Sequence, residues 1–278
     1  MSAFLEVRNL TIKGKRDGRL LVKDLSLTIE RGQRLAIVGE SGSGKTMSSM
    51  AIMNLLPKGV EKLSGDIIID GEDTGDWSPE RWRRMRNVEI AMVLQNPMSA
   101  FDPVLSIKRH FQETIQAHRM DGGSGSLKDL ALPALREAGF AEPEPILDLY
   151  PFQMSGGMLQ RVMVALALMG KPSLIIADEA TTDLDVVSQA QVLKLVGERS
   201  RERGMGILLI THDLSVAATL AESVLVMKRG DTVERGALAE VFARPAHAYT
   251  AGLLKAHHEL YTPRFTRFMT CLEGGGAL

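Results

Sequence analysis

The stretch Gly39-Glu40-Ser41-Gly42-Ser43-Gly44-Lys45-Thr46 constrains this chain more than any other part of it. It follows Leu35-Ala36-Ile37-Val38, an apolar run short enough for a buried strand, and precedes Met47 to Leu56, a Met- and Ala-rich segment that reads as a helix. Strand, glycine-rich turn and helix is the context in which G-x-x-x-x-G-K-[ST] becomes a phosphate site rather than a flexible turn. The glycines let backbone N–H groups converge on an anion, and the helix N-terminus adds partial positive charge. Lys45 is expected to reach terminal phosphates, and the Thr46 hydroxyl to ligate Mg²⁺.

Composition narrows what surrounds that site. A chain of 278 residues can bury a full core, as one large domain or two small ones. With 45% hydrophobic and 24% charged residues it reads as an ordinary globular protein. A net charge of −1 gives no electrostatic case for nucleic acid, and no nucleic-acid partner is expected. Cys271 is the only cysteine, which excludes an internal disulfide framework and a one-chain Cys₄ metal or iron–sulfur site. The first residues, Met1 to Glu6, show no charged region followed by an apolar signal core. No run of about 18 apolar residues occurs, so the expectation is a cytoplasmic chain that does not itself span a membrane.

Along the chain, Leu5-Glu6-Val7 and Leu25 to Ile29 alternate as half-buried antiparallel strands, with a basic loop from Lys13 to Arg19 between them. Asp66 to Gly71 reads as a strand ending in a turn, and the arginine-rich Pro79 to Arg86 as an exposed helix. Ile90 to Leu94 is a second buried strand, delivering Gln95 at its end. From Pro97 to about Leu168 strand signals vanish. Helical stretches (Ile107 to His118, Leu127 to Ala138, Met158 to Leu168) are separated by Gly- and Pro-rich breaks, of which Asp121 to Ser126 is the most flexible in composition. The block reads as a helical insertion in an α/β core. The α/β rhythm then returns: Leu174 to Ala177 strand, Val186 to Arg203 helix, Ile207 to Ile210 strand, Leu214 to Ala221 helix, Val224 to Met227 strand. Alternating βα units predict a mostly parallel sheet with ligands at its carboxyl edge.

Each of these strand ends supplies a polar group. Asp178 suits the Mg²⁺ side of a phosphate site, and Glu179 is placed to polarise a water against a γ-phosphate. Gln95 could bridge Mg²⁺ and that water. His212 follows a strand where an imidazole could contact the γ-phosphate. Ser155-Gly156-Gly157 opens a helix and offers a second anion-binding terminus, although alone it is also what a simply capped helix start looks like. One nucleotide does not need two such sites, so the economical arrangement is a dimer in which each chain's Ser155 helix closes on the other's nucleotide. The pair His257-His258 reads as solvated rather than metal-binding.

With these residues in place, the chain resembles the nucleotide-binding subunits of ATP-binding-cassette (ABC) transporters over nearly its whole length. Gly39 to Thr46 matches Walker A, Gln95 the Q-loop, Met154 to Met158 the signature, Leu174 to Glu179 Walker B, Thr182 to Asp185 the D-loop, and His212 the switch histidine. The resemblance implies a P-loop NTPase α/β fold with an N-terminal antiparallel β subdomain and an inserted helical subdomain at about 97–168. Residues 1–250 would form the ATPase domain and 251–278 a short tail. It implies ATP and Mg²⁺ as cofactors, with Thr46, Gln95 and Asp178 on the metal. Catalysis would fall to Glu179, His212 and Gln95, and Asp185 would belong to the D-loop. Implied partners are a second related ATPase subunit, two membrane permease subunits and an external substrate-binding protein, at the cytoplasmic face of the inner membrane.

Within the family, Gln95 to Pro103 and Arg244 to Thr250 resemble the peptide/nickel importer branch. Met154 to Arg161 with Thr181 to Val187 looks most like its nickel-import ATP-binding subunits. Met158 stands where the signature usually has Gln, and Ala180 where Pro commonly follows the Walker B glutamate. Lys13 to Arg19 has no aromatic where the family usually stacks adenine, which predicts loose base selectivity. The expected cargo is nickel, free or chelated. Peptide import is the alternative, and a soluble ABC ATPase of DNA repair or translation the distant third.

Overall fold

The computed structural model describes residues 3–118, 127–181 and 184–259. In chain order its elements are β1 (Ala3–Gly14), β2 (Leu20–Glu30), β3 (Arg34–Val38), α1 (Lys45–Ile52), β4 (Val60–Ile69), β5 (Glu72–Asp73), α2 (Pro79–Met85) and β6 (Ile90–Val93). The helical stretch follows as α3 (Pro97–Ala100), α4 (Ile107–His118), α5 (Leu127–Glu137), α6 (Glu144–Asp148) and α7 (Gly156–Met169). The chain then runs β7 (Leu174–Asp178), α8 (Val186–Arg203), β8 (Gly206–Thr211), α9 (Leu214–Leu220), β9 (Ser223–Lys228), β10 (Asp231–Ala237) and α10 (Leu238–Ala243). A last helix, α11, occupies 248–259.

Two sheets organise these elements. The first, ordered β2-β1-β4-β5, is antiparallel throughout. The second, ordered β10-β9-β3-β8-β7-β6, is parallel except for the β9–β10 edge pair. Its inner strands read as unbroken apolar runs because both faces are covered. Ala36, Val38, Ile175, Ala177, Ile207 and Leu209 face a core shared with α7, α8 and α9. Their neighbours Leu35, Ile37, Leu174, Ile176, Leu208 and Ile210 face a second core built with the antiparallel sheet, α1 and α2. One sheet thus divides two cores, and its parallel strands all end at one edge.

Several local expectations need correction. The helix after the glycine-rich turn is shorter than its composition suggests, ending at Ile52. The arginine-rich helix α2 is not an exposed one: Trp82 and Met85 are buried, and Trp82 meets Trp77 edge-on at 5.0 Å. The basic loop is narrower than drawn from sequence, since β1 already includes Lys13 and Gly14. The glycine-rich run Asp121 to Ser126 and Cys271 lie outside the described residues, as do Thr182 and Asp183. Among the described residues no helix is long and apolar enough to cross a membrane.

Candidate nucleotide site

The parallel strands bring their polar ends together. β3 delivers the glycine-rich loop, β7 delivers Asp178 and Glu179, β8 delivers Thr211 and His212, and β6 leads to Gln95. Two adjoining clefts result. One, of about 320 Å³, is lined by Leu21, Ser41, Gly42, Gly44, Lys45, Thr46, Met47, Gln95 and Glu179. The other, of about 390 Å³, is lined by Gly39, Glu40, Ser41, Gln95, Glu179, His212, Leu214, Leu253, Ala256 and His257.

The loop's glycines are there for space as well as for torsion. Gly44 has φ 106°, and a Cβ there would sit 2.5 Å from the Leu21 carbonyl. At Gly39 a Cβ would meet the Met227 carbonyl at 2.2 Å. Only glycine lets this loop close over the strand ends. Ser43 is 3% exposed within it. Lys45 is folded under the loop, donating to the carbonyls of Gly39 at 2.8 Å and Glu40 at 3.0 Å. Burial lowers its pKa, while Glu179, Asp178 and Glu40 pull it back toward the charged form.

Asp178 is buried and fully engaged. The Thr46 hydroxyl donates to Oδ1 at 3.2 Å and the Ser49 hydroxyl to Oδ2 at 3.0 Å. Burial raises its pKa, and those two hydrogen bonds oppose the rise. With its proton spent on Asp178, the Thr46 oxygen keeps lone pairs for another partner. A hydroxyl and a carboxylate, with substrate phosphates to complete the shell, are the hard oxygen donors that suit Mg²⁺. The residues present fit that ion. Among the described residues no group of three or more His, Cys, Asp or Glu could hold a metal by itself.

Glu179 sits in the left-handed region at φ 49°, and its N–H donates to the Ile210 carbonyl at 2.8 Å. A non-glycine residue there costs about 1–2 kcal/mol. The turn sets its carboxylate 3.9 Å from Lys45 Nζ and 3.3 Å from His212 Nδ1. Gln95 is exposed on both clefts. The sequence contains no local signal for Glu179's backbone or for Ser49's part in holding Asp178.

Ser155-Gly156-Gly157 lines neither cleft. Ser155 is exposed and caps α7, its hydroxyl accepting from the Met158 N–H at 3.2 Å. Asp185 caps α8, accepting from the N–H groups of Val187 and Ser188, each at 3.0 Å, and hydrogen bonding, from the Ser188 side chain first and then from these N–H groups, keeps its carboxyl below the usual range. A Cβ on Gly157 would meet Ser188 Oγ at 2.5 Å, so the two capped helix starts pack against each other. The buried Gln160 of α7 donates to the Leu94 carbonyl at 3.3 Å, linking this helix to the segment that carries Gln95. His257 departs from the solvated reading: its side chain is 17% exposed and shares a 2.8 Å hydrogen bond with Ser215 Oγ.

A family model described as ABC transporter matches residues 22–182. The chain is 42% identical over 259 residues to the nickel import ATP-binding protein NikD of Brucella abortus, covering 92% of this chain and 96% of that one. It is 42% identical over 261 residues to the glutathione import ATP-binding protein GsiA of Pectobacterium atrosepticum, covering 91% of this chain and 42% of that longer one. Among solved structures it superposes on the dimeric ATP-binding cassette MJ0796 bound to ADP and Pi, with a TM-score of 0.73 and 28% identity over 84% of this chain and 98% of that one. With a phosphate loop, buried aspartate, strained glutamate and histidine meeting at the carboxyl edge of a parallel sheet, the chain belongs to the ABC transporter family as an ATP-binding cassette ATPase.

Proposed function

We propose that this ATPase powers an importer for nickel, free or chelated, and that Glu179 activates the attacking water. The observation that supports the chemistry is the convergence of Lys45, Thr46, Glu179 and His212 on two adjoining clefts, with Asp178 behind them hydrogen-bonded to Thr46. The loop amides and Lys45 bind the triphosphate, the Lys45 ammonium offering the phosphates its third N–H beside the two given to the Gly39 and Glu40 carbonyls. Thr46 and Asp178, with Gln95, hold Mg²⁺, which when bound offsets phosphate charge as a Lewis acid. Glu179 accepts the proton of the attacking water, and His212, 3.3 Å from it, orients that carboxylate and donates toward the γ-phosphate. Ser155, Gly156 and Gly157 act on the nucleotide of a second cassette, in the closed dimer where Asp185's loop also lies.

The working assembly is a pair of related cassettes under two permease subunits, fed by an external binding protein, at the cytoplasmic face of the inner membrane. Its ATPase unit extends past the boundary at 250 expected from sequence to the end of α11, because Leu253, Ala256 and His257 line the cleft, and 97–168 is its helical insertion. An apolar surface on that insertion supports docking to the permeases. Tyr150 and Phe152 stack at 5.6 Å, and Phe152 and Val104 are 65% and 76% exposed. The Ile107 N–H donates to Leu149 at 2.8 Å, drawing the two segments together.

Nickel is favoured by the near-complete two-way coverage of relatives named for nickel import. Peptide import is the second reading, favoured by equal identity to a glutathione import protein. Two uptake assays in cells carrying Lys45→Ala separate them, one with labelled nickel, with and without a chelator, and one with a labelled peptide. Loss of nickel uptake alone is expected. Loss of peptide uptake with nickel untouched would overturn the cargo while leaving the ATPase standing.

A further inference from the structure

The run Arg244 to Thr250 leads into α11, and its contacts give that helix a task the catalytic cluster does not explain. Glu234 of β10 accepts from the N–H groups of Ala246 at 2.7 Å and His247 at 3.1 Å. His247 Nδ1 in turn accepts from the Tyr249 N–H at 3.0 Å, so the entry into the helix is fixed. On α11, Tyr249, Leu253, Ala256 and His257 recur at i, i+4, i+7 and i+8, which is one helix face. Leu253, Ala256 and His257 line the larger cleft together with Glu40, Glu179 and His212.

Both ends of that face are tied to the site. The Tyr249 hydroxyl accepts from the Glu40 N–H at 3.1 Å, and Lys228 Nζ lies 4.6 Å from the centre of its ring. The Glu40 N–H and the Gly39 carbonyl belong to one planar peptide unit. Lys45 Nζ donates to that same carbonyl at 2.8 Å, so Tyr249 and Lys45 hold opposite sides of one peptide plane. About 12 Å further along the axis, by the rise of eight residues, His257 shares its 2.8 Å hydrogen bond with Ser215 Oγ. Ser215 lies in the first turn of α9, two residues after Asp213, whose carboxylate caps that helix beside His212.

We propose that α11 is a strap holding the phosphate loop and the His212 segment in register, with Tyr249 and His257 as positioning residues for ATP hydrolysis. The strap rests on the reading of the cleft as the nucleotide site. Tyr249 sets the peptide that anchors Lys45, so its effect falls on nucleotide binding. His257 steadies the start of α9, so its effect falls on turnover.

The test uses the full chain, measuring MgATP affinity by titration and kcat by single-turnover hydrolysis. Tyr249→Phe removes only the hydroxyl and is expected to raise Kd about 3–10-fold, the size of one neutral hydrogen bond, with kcat within about twofold. His257→Leu is expected to lower kcat about 3–10-fold with Kd unchanged, and His257→Gln, whose amide reaches to about the same place as Nε2, to restore it. Should His257→Leu lower the melting temperature, Ser215→Ala removes the same bond from the other side. Losses shared in the double variant support the strap, and fully additive losses overturn it. Kd and kcat both within twofold of wild type in Tyr249→Phe and His257→Leu also overturn it. Glu179→Gln measured alongside keeps the two readings apart: wild-type turnover there sinks the assigned site, whatever the α11 variants do.

Discussion

Glu179 is held by geometry that works against its own backbone. Its φ of 49° is not a conformation that glutamate prefers, yet the turn places its carboxylate between Lys45 and His212. Strain at a carboxylate set between an ammonium and an imidazole points to chemistry rather than stability. Glu179→Gln should therefore keep ATP binding and lower kcat by about 10²-fold or more, the scale of a lost general base. Wild-type turnover in that variant would remove Glu179 from the mechanism. Glu179→Gly adds a second readout. Relief of about 1–2 kcal/mol of left-handed strain offsets the entropy cost of glycine, about 0.5–1 kcal/mol. Its melting temperature should stay within a few degrees of wild type while hydrolysis is lost. A large drop in melting temperature would mean the side chain is structural. Residue types and order made this site legible in sequence, since a strand ending in Asp-Glu is a local pattern. The left-handed turn was not legible, because the Ile210 carbonyl that fixes it belongs to a strand some thirty residues away in sequence.

Elements differed in legibility for the same reason. α4 and α8 begin and end where their own periodicity says, at Ile107–His118 and Val186–Arg203. Asp185 caps α8 from next door, and Gly204 ends it at φ 62°. By contrast α11, with four histidine, glutamate or lysine residues among its last five, carries a weak apolar face and finds its partners across the fold. Glu40 and Tyr249 are 209 residues apart. The start of α7 separates structure from function within a single turn. A Cβ on Gly156 would meet only Leu184 Cδ2, at an ordinary 3.9 Å, whereas one on Gly157 would strike Ser188. Gly156→Ala should thus leave the melting temperature unchanged and still lower ATPase activity at least tenfold, if another chain's nucleotide must approach this backbone. Full activity in Gly156→Ala would make Ser155 to Gly157 a helix cap and nothing more. On the base side, the turn after β1 offers no aromatic surface, and Leu21 is the apolar β2 residue lining the cleft. Stacking on an aromatic is worth roughly 1–3 kcal/mol elsewhere. Without it, GTP should bind within about tenfold of ATP, a difference of about 1.4 kcal/mol. A hundredfold preference for ATP by competition titration would show that another residue reads the base.

At the scale of the molecule, one chain holds two glycine-bearing helix starts that do not share a cleft. α1 begins under the phosphate loop, whereas α7 begins at an exposed Ser155 that lines neither cavity. Either the second start is idle or it serves a nucleotide bound elsewhere. Its surroundings argue against idleness. Gly157 packs on the capped start of α8, and Gln160 ties α7 to the Leu94 carbonyl beside Gln95. That bond joins α7 to the residue next to Gln95, which lines this chain's own clefts. Two chains closing face to face would each complete the other's site, so that turnover belongs to the pair. Such a pair gives a specific concentration dependence. Well below the dimer constant, the hydrolysis rate should rise with about the square of chain concentration, because the active fraction is itself proportional to concentration. In an equimolar mixture of Glu179→Gln with Gly156→Ala, activity should recover above either variant alone, since one site of each mixed dimer then joins an intact Glu179 to an intact Ser155 turn. Linear dependence down to low micromolar concentration, with no recovery in the mixture, would mean that each chain works alone. The exposed Ser155 turn would then have to be explained as the cap of α7 and no more.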